Sequence, residues 1–67
     1  MRILALDTGL GACSAVVLDG ERVLARVVEP MERGHQERLA PVAQAAMATS
    51  GLAFADLQRI GVTVGPG

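Results

Sequence analysis

The sequence predicts an α/β fold, built in the order β-β-β-α-β with a sheet ordered 3-2-1-4. Three observations lead there. In the stretch LALDTGLGACSAVVLDGERV, an apolar run ends in an aspartate and a glycine-bearing turn. Asp19-Gly20 then separates two runs of strand-forming residues, the strongest short hairpin signal a sequence offers. Beyond Pro30 the apolar period lengthens from two to the 3.6 of a helix, before a last run of Ile, Val and Thr.

The first strand is read over residues 3–6, a continuous apolar run of the kind buried on both faces in the middle of a sheet. Residues 12–18, ACSAVVL, form the second. ERVLARVVE is the third, antiparallel to the second, with Val23, Ala25 and Val27 on one side and Arg22, Leu24, Arg26 and Val28 on the other. Pro30 closes it, and EPMERG is a loop. Residues 35–50 read as a helix, because Leu39, Val42, Ala43, Ala46, Met47 and Ser50 recur at helical spacing. Glu37 in its first turn suits the positive end of the helix dipole. Gly51 fits the left-handed position just past its end, with Leu52 folding back over Met47 in a Schellman motif. Pro41 is discordant: in a helix that opens near His35 it lies past the first turn and should kink the axis. Residues 54–57 form one short turn and residues 59–64 the fourth strand. A right-handed crossover sets that strand parallel to the first, on its free side. The helix then covers one face, and nothing in the chain covers the other.

The bulk numbers exclude several classes. At 67 residues the chain is short, and a domain near this size buries only about 60% of the surface of its unfolded chain. Phe54 is the sole aromatic residue, so the core must come from Leu, Val, Ile, Ala and Met. The ending VTVGPG runs a strand into a turn, which reads as a fragment of a larger domain or a piece that depends on a partner surface. Such a piece is expected to self-associate through its uncovered sheet face or an edge strand. A net charge of −1, with neither Trp nor Tyr, argues against autonomous nucleic-acid binding. Cys13 is the only cysteine, which excludes an internal disulfide, and a single histidine beside it does not support a zinc site. Asp7 interrupts the N-terminal apolar run too early for a signal peptide, and no run approaches membrane-spanning length. The expected location is the cytoplasm.

Three glycine loops compete for residues 7–11. Gly9-Leu10-Gly11 supplies the first part of a dinucleotide fingerprint, but Ser14 stands where the third glycine belongs. The turn also leads into a strand, whereas that site needs a helix N-terminus for the pyrophosphate. A Walker A loop is excluded, since there is no G-K-[ST]. A strand, an aspartate, a turn and a hairpin make a third device, in which turn N–H groups meet phosphate oxygens and the aspartate holds a metal-bound water. This arrangement resembles the first phosphate loop of the actin-like ATPase fold, the ribonuclease H-like ASKHA architecture shared by sugar kinases, acetate kinases and Hsp70. Its plain alternative is a hairpin connection whose glycines serve turn geometry.

The rest of the chain narrows the choice. The ordered set LDT-x-x-x-x-CS, then H-x-E-R-L-x-P, then VTVGPG, resembles the N-terminal part of the TsaB (YeaZ) family over nearly the whole sequence. That family supplies the dimerisation subunit of the bacterial machinery that makes threonylcarbamoyladenosine in tRNA. Gly9 departs from the Ser or Ala common there. The resemblance implies the N-terminal part, residues 1–67, of a single actin-like domain whose remainder and second domain lie outside this sequence. It implies a non-catalytic partner of a TsaD-like catalytic subunit acting at adenosine 37 of tRNA, with a homodimer allowed and tRNA met only indirectly. Asp7, Thr8, Gly9 and Gly11 then form a degenerate nucleotide-phosphate loop. No cofactor is assigned to the chain itself; ATP or ADP belongs to the complex. His35, Arg38, Leu39 and Val42 fall on the helix that meets the partner, where Ala40, Ala43 and Ala46 permit close approach. TsaD carries two metal-binding histidines four residues apart on this helix; here His35 is followed at that spacing by Leu39, so no metal is expected. Two rival readings are the N-terminal lobe of an actin-like small-molecule kinase and a glycoprotease-like metallopeptidase. The second is disfavoured, because Cys13 and Ser14 have no base or metal pair in the sequence and read as core positions.

Overall fold

The computed structural model describes residues 1–9, 11–30 and 39–64. Its elements are β1 (Arg2–Gly9), β2 (Ala12–Asp19), β3 (Arg22–Pro30), α1 (Leu39–Ser50), a 3₁₀ turn (Phe54–Asp56) and β4 (Arg59–Val64). The sheet order is β3-β2-β1-β4. β2 runs antiparallel to both β1 and β3, and β4 lies parallel to β1. Order and directions are those the sequence predicts.

β1 extends further than its apolar run. Pairing with β2 continues through Asp7↔Ser14 and Thr8↔Cys13 to Gly9↔Ala12, because the backbone ladder does not depend on apolar side chains. Along β1 and β2, alternate residues turn to one face: Leu4, Leu6 and Thr8, then Cys13, Ala15 and Val17, all buried. Ile3 and Ala5 are only half-buried on the other face. The expectation of a strand buried on both sides is thus corrected; α1 provides the one covering layer among the described residues.

Gly20 and Glu21 form the loop between the pair Asp19↔Arg22. Gly20 takes φ +64°, as the first position of both primed hairpin turns requires. Farther along, the β2–β3 pairing slips: Leu18 faces Val23 while Val17 faces Ala25, so Leu24 is an extra residue on β3. This β-bulge corrects the expected facing. Leu24 joins Ala25 and Val27 against the core, and Val23 is thrown to the opposite face, 58% exposed.

α1 lies across β2 and β3 and reaches β1 only at its margin. Val42, Ala43, Ala46 and Met47 are its buried face. Together with Leu4, Leu6, Cys13, Ala15, Val17 and Ala25 they form one apolar cluster. Residues 31–38 lie outside the described residues, and with them Glu37 and the expected helix opening. Pro41 is the third described residue of α1. The far end is an αL ending rather than the expected Schellman motif. The Gly51 N–H donates to the Met47 carbonyl at 3.1 Å, with Gly51 at φ +79°. The Leu52 N–H, which a Schellman motif would send to the same carbonyl, donates to Ser50 Oγ at 3.1 Å. The Ser50 hydroxyl in turn donates to the Met47 carbonyl at 2.7 Å. Leu52 still packs against the core cluster.

The return to the sheet is pinned by Gln58. Its N–H donates to the Arg2 carbonyl at 2.8 Å, and its Oε1 accepts from the Arg2 N–H at 2.9 Å. Before it, Asp56 Oδ2 accepts from the Ala53 N–H at 2.9 Å and closes the short turn.

Two outcomes follow from this packing. Val17→Ala should lower the free energy of unfolding by about 2 kcal/mol, and Val23→Ala by less than about 0.5 kcal/mol. Equal losses in urea denaturation would remove the bulge from the account. A Cβ at Gly51 would meet no atom within 4 Å. Gly51→Ala should therefore cost about 1–2 kcal/mol through its positive φ alone, and Gly51→Asn less, in the same measurement.

Candidate functional site

The candidate loop joins β1 to β2. Because Gly9↔Ala12 is the last pair of the ladder, residues 10 and 11 are the whole connection. Gly11 takes φ +78°, which a side chain would resist. Leu10 lies outside the described residues. The strand that opens at Ala12 occupies the place where a dinucleotide site needs a helix N-terminus, so that reading is closed.

Asp7 and Thr8 are adjacent in sequence but divided by the sheet. The pleat sends successive side chains to opposite faces. Thr8 turns under α1's layer and is 4% exposed, with Cys13 as its cross-strand neighbour. Asp7 turns to the open face and is exposed. Its register neighbours are Ser14 on β2 and Thr63 on β4. Thr8 is therefore a core residue; among the described residues no buried side-chain nitrogen or oxygen lacks a hydrogen-bond partner. Asp7 alone of the pair can meet a ligand through its side chain.

Of the two core positions expected on β2, Cys13 and Ser14, the structure puts only Cys13 in the core. Cys13 is fully buried, while Ser14 is half-buried on the open face beside Asp7. The period of two along β2 carried that signal, since Cys13, Ala15 and Val17 select one face and leave Ser14 on the other. Among the described residues no three His, Cys, Asp or Glu side chains are grouped to hold a metal ion.

The expected partner-facing residues separate as well. His35 and Arg38 lie outside the described residues. Leu39 is half-buried and packs on the core cluster. Val42 is 1% exposed, which corrects its place: its side chain is taken up by the chain's own sheet. The exposed side of α1 consists of Ala40, Pro41, Gln44, Ala45, Ala48 and Thr49, small or uncharged residues throughout.

A strand that returns as a hairpin through a glycine turn, with a parallel strand on its other side and a helix over one face, makes this a protein of the actin-like ATPase (ASKHA) fold. YeaZ from Pseudomonas aeruginosa superposes with a TM-score of 0.82 at 35% identity, over 98% of this chain and 30% of that one. The ROK hexokinase from Thermus thermophilus superposes at 0.76 with 31% identity, over 96% and 22%. The family model described as TsaD, tRNA N6-adenosine threonylcarbamoyltransferase, matches residues 22–67. The tRNA threonylcarbamoyladenosine biosynthesis protein TsaB of Escherichia coli is 37% identical over 100% of the chain and 29% of its own length. The tRNA N6-adenosine threonylcarbamoyltransferase of Moorella thermoacetica is 36% identical over 97% of the chain and 24% of its own length. The chain belongs to this TsaD/TsaB family, as a TsaB (YeaZ)-type segment. It spans 24% of the length of the Moorella thermoacetica transferase and 29% of that of the Escherichia coli TsaB.

The division between Asp7 and Thr8 is testable. Thr8→Ala should lower stability by about 1–2 kcal/mol, because it removes a buried methyl and a buried hydroxyl together. Asp7→Ala should change it by less than about 0.5 kcal/mol. Both are read from denaturation midpoints, and the reverse ranking would place Asp7 in the structural role.

Proposed function

We propose that this chain is part of a non-catalytic TsaB-like subunit that supports threonylcarbamoylation of adenosine 37 in tRNA by a TsaD-like catalytic partner. The observation that carries the reading is the likeness to YeaZ over almost the entire chain, in fold and in sequence together. The site geometry is consistent with it. A two-residue turn leaves few free N–H groups for phosphate, and Thr8 spends its hydroxyl inside the core. Cys13 is sealed from solvent and cannot serve as a nucleophile in this fold.

On this reading the described elements belong to one larger actin-like domain, and Asp7, Gly9 and Gly11 are the remnant of its first phosphate loop. ATP or ADP then binds in the complex, and tRNA is met through the partner in the cytoplasm. The partner would meet α1 on its outer side, through Ala40, Gln44, Ala45 and Ala48, whose small or flexible side chains permit close helix approach. The likeness to a hexokinase favours a second reading, in which the same elements open a small-molecule kinase.

A chimera separates the two. The chain is grafted into Pseudomonas YeaZ in place of the matching segment, and threonylcarbamoyladenosine is measured in tRNA by mass spectrometry of nucleosides. The modification should form only when the TsaD-like subunit is also present, and Ala45→Arg should reduce it at least tenfold. Product formed without that subunit would overturn the non-catalytic assignment. ATP hydrolysis coupled to a sugar acceptor would establish the kinase.

A further inference from the structure

We draw no further inference here: the strongest candidate, the side-chain pair Asp7 and Ser14 opposed across β1 and β2 on the sheet face away from α1, belongs to the loop site already described, and nothing in the structure shows what covers that face.

Discussion

The pairing of β1 with β2 is the constraint on which the other elements depend. Its two-residue connection leaves no freedom to slide, and a shift by one residue would turn every side chain of one strand to the wrong face. Held in this register, Leu4, Leu6 and Thr8 line up with Val17, Ala15 and Cys13 as one apolar surface. α1 has that surface to cover, and β4 has the free side of β1 to join. Gln58 fixes the second of these by exchanging hydrogen bonds with the backbone of Arg2.

The same register decides what the loop can do. It carries the ladder as far as Gly9 and confines the turn to two residues, so Asp7 and Thr8 fall inside a strand rather than beside a loop. One becomes core and the other surface. A motif that looks continuous in sequence is thereby split across a sheet. The family to which the chain belongs includes proteins named as the transferase and proteins named TsaB.

The helix covers only part of the sheet. α1 is short, 12 residues in the described span, and lies toward the β2–β3 side. Leu4 and Val17 of the sheet are fully buried beneath it, against its own Val42, while Ile60 and Val62 on the same sheet face are not.

The sequence by itself determined the element order, the direction and order of the strands, the helix that ends before Gly51, and the exclusion of a dinucleotide site. These rest on local signals: the Asp19-Gly20 turn, the change of period after Pro30, and a strand following Gly11. Only the tertiary structure decided which residues face where. The extra residue at Leu24 reverses Val23, and no periodicity announces it, because a bulge is a mismatch between two strands and not a property of either one. Val42 belonged equally to sheet or partner until the position of α1 committed it to the sheet. Thr8 and Asp7 parted for the same physical reason: a face exists only once strands are paired and something has been laid over them.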